Sequence, residues 1–185
     1  RKLDLENEDE LEGKGISHCA LCDGSFYKGK VVAVVGGGDS ALQETLYLSN
    51  LCEKVYLIHR RDEFRVTGSL LEKIQDKGNV VKIMNTNVSE LGMEDGKLST
   101  ILLDSGDELE VDGLFVYVGF VPGTKFANEL GITDENGYII VDKHFETKIK
   151  GIYAVGDIIK KDIYQISTAV GDGAEAAINI IEKCK

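Results

Sequence analysis

The hydrophobic pattern of the chain switches between two periods. Residues 31–35 (Val-Val-Ala-Val-Val) form an unbroken apolar run, as expected of a parallel strand covered on both faces. Three glycines, Gly36, Gly37 and Gly38, end it. Ala41, Thr45, Leu48 and Cys52 then recur at helical spacing, which predicts a helix to about Leu51 with Asp39 or Ser40 as its cap. Residues 55–58 read as a second strand, closing a β-α-β unit of about thirty residues.

Between residues 80 and 103, three apolar or alternating segments are separated by polar turns, one containing Asp95-Gly96. They predict an antiparallel meander. Residues 114–118 return to the parallel sheet, and the only proline, Pro122, sits in a Gly/Pro turn directly after them. Beyond it, short strands are expected at 138–141 and 152–155. A last helix should place Val170, Ala174, Ala177, Ile178 and Ile181 on one apolar face.

These elements give an α/β protein. Residues 1–10 read as an interdomain linker, and 11–118 as a Rossmann-like nucleotide-binding domain carrying a β-meander. Residues 119–185 fall short of the usual domain size of about 100 to 150 residues and read as the C-terminal half of a second domain. Its other half is expected upstream of Arg1, because the chain opens on a polar acidic segment instead of an initiator methionine.

Charge narrows the function classes. A net charge of -11 argues against a nucleic-acid partner, which would require a basic surface. No run approaches the roughly 18 apolar residues of a membrane span. An acidic chain repels anionic nucleotides, so a nucleotide site here needs its own cations.

Such a site is written after the first strand. Gly36-Gly37-Gly38-Asp39-Ser40-Ala41 matches the Gly-x-Gly-x-x-Ala dinucleotide fingerprint. There the first glycine turns the chain, Gly38 admits a pyrophosphate, and small Ala41 lets helix and strand pack closely. His59-Arg60-Arg61, with Arg65 beyond, follows the second strand, and His59 stands 21 residues after Gly38 (59 minus 38). An acidic residue at that distance suits the ribose of NAD, whereas arginine suits the 2'-phosphate of NADPH. A solvated charge run, partly neutralised by Asp62 and Glu63, is the competing reading.

Four cysteines are too few for a disulfide-dense secreted scaffold, which favours a reducing, cytoplasmic setting. Cys19-Ala-Leu-Cys22-Asp23 has redox spacing, and Asp23 is placed to exchange a proton with a thiol. A zinc half-site with His18 competes, but no second ligand pair completes four, so no metal is expected. Cys52 and Cys184 lie in expected helices and read as packing residues. Gly156-Asp157 ends an apolar strand, and Gln165-Ile166 leads into the last helix, whose start could face a polar ligand.

The order Cys-x-x-Cys-Asp-Gly, Gly-Gly-Gly-x-Ser-Ala, His-Arg-Arg-Asp-Glu-Phe-Arg and Ala-x-Gly-Asp resembles the low-molecular-weight thioredoxin reductases of bacteria and archaea over essentially the whole chain. The resemblance implies an NADPH domain plus part of a Rossmann-like FAD domain. It implies electron flow from NADPH through FAD and a Cys19–Cys22 disulfide to thioredoxin, with a homodimer as one form of the enzyme. Cys22 would lie nearer the flavin, Cys19 would attack thioredoxin's disulfide, and Asp23 would act as acid and base. Gly36, Gly38, Asp39, Ser40 and Ala41 would contact the pyrophosphate side of NADPH. Asp157, beside Gly156, would bond the ribityl chain, and Gln165 and Ile166 would approach the flavin ring. Two departures stand out: Tyr164 replaces an arginine usual in that family, and the chain carries one glycine fingerprint where the family has a second for the ADP half of FAD. Reduction of another small disulfide protein, and a nucleotide-binding module without catalysis, are the alternatives.

Overall fold

The computed structural model describes residues 1–65 and 68–185 and divides into two compact units, Arg1–Phe120 and Val121–Lys185. In the first, β1 (Ile16–Ser17), β2 (Val31–Gly36), β3 (Lys54–His59), β4 (Val80–Met84) and β8 (Gly113–Tyr117) form a parallel sheet in the order β1-β8-β2-β3-β4. A second, antiparallel sheet of β5 (Val88–Glu94), β6 (Lys97–Leu103) and β7 (Glu108–Glu110) lies beside it.

Alternation along β2 explains the layering, since successive side chains of a strand point to opposite faces. Val32 and Val34 join Val55, Leu57 and Phe115 in a core against α3 (Asp39–Ser49) and α4 (Ser69–Gln75). Ala33 and Val35 join Leu114, Val116 and Ile58 in a second core against the meander residues Leu91, Ile101 and Leu103. The central strands are therefore apolar throughout because both faces are covered.

The meander begins later than the sequence pattern suggests. Residues 80–84 pair in parallel with β3, so the first of the three expected segments belongs to the main sheet, and Glu108–Glu110 supplies the third antiparallel strand. Apolar periodicity alone does not distinguish an edge strand of one sheet from the first strand of another. The Asp95-Gly96 turn is as expected: both residues have positive φ, 50° and 74°, the backbone that a two-residue hairpin requires. The two-residue β1 and the short helix α4 were among the elements not anticipated.

Residues 1–10 are well tied within the first unit. Leu3 and Leu5 pack on the meander-side core, and the buried Glu8, on the one-turn helix α1 (Glu8–Leu11), accepts the amides of Leu3 and Asp4 at 2.8 Å each.

The second unit has a smaller core, built on Ala127, Ile132, Ile139, Ala154 and Ile159. The strands expected at 138–141 and 152–155 are only single bridges, Ile139 with Thr133 and Ile159, and Tyr153 with Glu146. The last helix, α5 (Ile166–Lys183), opens on a reciprocal capping box between Gln165 and Thr168. Its expected apolar face is largely exposed: Val170 67%, Ile178 59%, Ile181 59%, with Ala174 and Ala177 also open, while only Ala176 is buried. Helical periodicity records which face is apolar, not whether residues 1–185 cover it.

Phe115 is fully buried on β8, with its ring edge-on to Tyr27 at 5.3 Å. Phe115→Ala should therefore cost about 3 to 5 kcal/mol in urea unfolding followed by tyrosine fluorescence. A loss below about 1 kcal/mol would show that the helix-side core collapses around the deletion, outside the range typical of such sites.

Candidate functional site

The cysteine motif forms a short helix at the end of β1. Cys19 is the N-cap of α2 (Ala20–Asp23) and is disulfide-bonded to Cys22, with Cα atoms 5.3 Å apart. While that bond is formed, the two sulfurs are not thiolates. Cys22 is exposed and Cys19 half-buried. Ser17, the last residue of β1, donates its hydroxyl to Asp23 Oδ2 at 2.7 Å and accepts the Cys19 amide at 3.1 Å. The carboxylate is thereby aimed along the turn that carries both sulfurs. From the neighbouring strand, Tyr117 Oη accepts the Ala20 amide at 2.8 Å, and burial pushes its hydroxyl well above the ordinary tyrosine range.

The fingerprint forms the tip of β2. The cap of α3 is Gly38, with no side chain bonded there, so neither Asp39 nor Ser40 takes the capping role. The extended glycine loop carries the chain into the helix without a side-chain acceptor, and the first amides of α3 are open to an anion. Asp39, Ser40 and Ala41 form the first turn, with Ala41 buried against Gly36.

Each glycine faces a different neighbour. A Cβ at Gly36 would lie 2.6 Å from the Tyr117 carbonyl and 2.7 Å from Ala41 Cβ. One at Gly37 would lie 2.1 to 2.5 Å from the His59 ring, and one at Gly38 would lie 3.4 Å from Arg65 Nη2. The middle glycine is thus required by His59, a reason that the fingerprint alone does not give.

His59 is buried, stacks on Phe64 at 5.4 Å, and has no hydrogen-bond partner for Nε2 among the described residues. Burial lowers its pKa, and the nearby arginines push the same way against the Glu63 backbone. The ring is neutral at pH 7 and packs against the glycine loop without adding charge. Arg65 is fixed by its own amide, which donates to the Gly37 carbonyl at 3.0 Å.

A cleft of about 430 Å³ opens at the carboxyl ends of β2, β3 and β8. Gly36, Gly37, His59, Arg60, Arg65 and Tyr117 line it, and no Asp or Glu is among its lining residues. Arg61 is exposed and outside that lining; its carbonyl accepts the Asn85 amide at 3.1 Å. A larger cleft of about 660 Å³ lies at the amino end of β2, against the meander, and carries Glu94, Asp95, Glu110 and Asp112. Ligands of parallel α/β sheets bind at the carboxyl ends of strands, so the smaller, cationic cleft is the nucleotide candidate.

In the second unit, Gly156 and Asp157 open a short 3-10 turn. The Gly156 amide donates to Asp172 Oδ2 at 3.0 Å, and Lys161 Nζ sits 2.7 Å from Asp172 and 3.9 Å from Asp157. Gln165 caps α5 and Ile166 is 85% exposed. The Tyr164 hydroxyl accepts the Lys161 amide at 3.3 Å, and its ring lies 6.0 Å from Tyr138. Of the other cysteines, Cys52 is buried with its thiol pushed up to about 11 by desolvation, whereas Cys184 is exposed at the end of α5 and is not a core residue.

Sequence reasoning did not find Ser17 or Tyr117, and it placed Gly37 in the fingerprint without a role of its own. Tyr117 had a usable signal: it ends the returning strand, opposite the first fingerprint glycine. Ser17 had none, because β1 is too short to show a period.

Residues 1–173 match the family described as pyridine nucleotide-disulphide oxidoreductase. The chain is 44% identical to the thioredoxin reductase of Bacillus subtilis, across 97% of this chain and 58% of that protein. It is 46% identical to the thioredoxin reductase of Mycoplasma genitalium, across 97% and 59%. The crystal structure of thioredoxin reductase from Streptococcus pyogenes superposes with a TM-score of 0.89 at 40% identity, covering 98% of this chain and 61% of that one. The chain therefore spans about three-fifths of the length of these relatives. With its parallel sheet, its glycine-tipped strand and its Cys19–Cys22 disulfide, the chain belongs to the pyridine nucleotide-disulphide oxidoreductase family.

Proposed function

We propose that the chain is the NADPH-binding and disulfide-carrying part of a thioredoxin reductase, together with part of its FAD site. The observation that carries this reading is a juxtaposition within one unit. Tyr117 both bonds the redox helix α2 and lines the carboxylate-free cleft at the fingerprint.

The residues present fit NADPH. Gly36 and Gly37 let the strand tip pack closely on Tyr117, Ala41 and His59, Gly38 leaves its side-chain position open apart from Arg65, and the open first turn of α3 suits a pyrophosphate. Arg60 and Arg65 supply cations for a 2'-phosphate in a chain whose net charge is otherwise -11. His59 holds the loop from behind, and Arg61 contributes charge from outside the cleft. Toward FAD, the second unit offers Asp157 on a turn latched by Asp172, with Gln165 and Ile166 at the start of α5.

FAD, when bound, would accept hydride from NADPH and hand an electron pair to the disulfide. Cys22, the exposed sulfur, is assigned to the flavin side and Cys19 to thioredoxin. Asp23, anchored by Ser17, exchanges the proton of the thiol that forms. A dithiol of this kind works in a reducing compartment, which fits the cytoplasm.

Calorimetry with the two nicotinamide cofactors tests the cleft. Arg60→Ala or Arg65→Ala should each weaken NADPH binding by roughly 10-fold to 100-fold and leave NADH nearly unchanged. Equal losses for both cofactors would reduce these arginines to surface charge.

Gly37→Ala places a methyl group inside the His59 ring position, so NADPH binding should fall by at least about 10-fold while the disulfide still forms. Unchanged affinity would show that the ring can move away without cost.

The disulfide chemistry can be read in a single turnover. Chain pre-reduced with dithiothreitol and then desalted should convert one equivalent of oxidised thioredoxin to dithiol, its own Cys19 and Cys22 becoming the disulfide. Cys22→Ser should stop release of reduced thioredoxin and trap a mixed disulfide. Faster reduction of glutaredoxin or peroxiredoxin would move the assignment to that partner, and full release by Cys22→Ser would remove the pair from the chemistry.

A further inference from the structure

The cleft at the carboxyl ends of β2, β3 and β8 has a wall with no part in the roles assigned above. Arg1, Lys2 and Leu3 line it, from the stretch of chain that precedes α1. Leu3 and Leu5 pack on the core that contains Val35, Ile58 and Val88, and those same three residues line the cleft. Wall and cleft therefore stand on one apolar base. A single buried carboxylate holds the stretch in place. Glu8 is 4% exposed; its Oε1 accepts the Leu3 amide at 2.8 Å, and its Oε2 accepts the amides of Asp4 at 2.8 Å and Leu5 at 3.4 Å. Successive amides converge on one anion where the backbone turns sharply. Asp4 and Asn7 take positive φ, 60° and 65°, a backbone that costs energy in residues other than glycine and persists where its surroundings over-determine it. At the far end the Arg1 backbone nitrogen donates to the Gly119 carbonyl at 3.0 Å.

Charge is sorted along the same stretch. Residues 1–12 carry two cations and six carboxylates, yet only the two cations, Arg1 and Lys2, belong to the lining of the cleft. The Lys2 ammonium is shared with Asp9 in an ion pair, whereas the Arg1 guanidinium has no ion-pair partner among the described residues. Arg1 is therefore the cation that the wall adds most freely to Arg60 and Arg65.

We infer that Glu8 is a positioning residue for the nucleotide cleft: its carboxylate fixes residues 1–5 as a wall that presents Arg1 and Lys2 to an anionic ligand. The inference rests on the NADPH reading of that cleft. Glu8 is not among the lining residues, so its influence on a ligand passes through the segment it holds. An exposed cation at the rim of a site chiefly speeds the approach of an anion, and salt screens it. NADPH carries a 2'-phosphate that NADH lacks and gains more from that cation. The carboxylate's own charge works the other way, since a negative group near the cleft repels the same ligand. Removing the charge of Glu8 therefore weakens NADPH binding if the clamp dominates and strengthens it if only the charge is felt.

The test mixes the full chain with NADPH or NADH in a stopped-flow instrument at graded ionic strength and follows nicotinamide fluorescence. Arg1→Gln, which leaves the clamp intact, should raise the NADPH dissociation constant roughly twofold to fivefold at low salt, mainly by slowing association. Glu8→Gln should do at least as much, because its amide nitrogen cannot accept a hydrogen bond and the wall is released. Both losses should be smaller for NADH and should shrink as salt rises. Where Glu8→Gln does not fold, Arg1→Gln decides alone. Wild-type NADPH affinity in Arg1→Gln, tighter NADPH binding in Glu8→Gln, or losses equal for both nucleotides at every salt concentration would each overturn the wall and leave the NADPH cleft standing. A native chain that does not bind NADPH overturns the reading beneath it as well.

Discussion

The first unit depends on one close approach. At Gly36, β2, β8 and the start of α3 meet so tightly that a single methyl group would lie within 2.6 to 2.7 Å of the Tyr117 carbonyl and Ala41 Cβ. The parallel register that pairs Gly36 with Tyr117 follows from that contact. It sets the height at which Tyr117 leaves the sheet, and so lets one hydroxyl reach the cysteine turn while the ring borders the cleft. Strand spacing, helix entry and the redox turn are thus fixed together.

Charge is sorted by the same sheet. Carboxylates gather at the amino end of β2, in Glu94, Asp95, Glu110 and Asp112, and are missing from the lining of the cleft at its carboxyl end. An acidic protein can hold a polyanionic cofactor only where its own field is locally reversed. Burial lowers the pKa of His59, which serves as a packed wall, and the cationic side chains that line the cleft are Arg1, Lys2, Arg60 and Arg65.

Much of this was legible in the residues. The β-α-β unit, the return strand and the Asp95-Gly96 turn follow from periodicity and turn chemistry, because each depends on near neighbours. The sheet to which residues 80–84 belong does not, since membership is decided by long-range pairing with β3. In the site, Cys19, Cys22 and the glycines were readable as motifs. Ser17 was not, because a serine before a histidine looks ordinary until the turn is folded against it. The exposed face of α5 is a third case, in which the pattern marks an apolar face correctly and says nothing of whether residues 1–185 cover it.

That face has a consequence for how the chain holds together. Residues 121–185 rely on a core of mostly small and medium side chains, to which α5 adds only Ala176, whereas residues 1–120 close two larger cores on either side of one sheet. Local stability follows buried apolar contact, so the backbone amides of the second unit open and exchange with solvent at lower free energy than those of β2, β3 and β8. Where one unit opens before the other, structure is lost in two steps, and a single melting temperature does not describe such a chain.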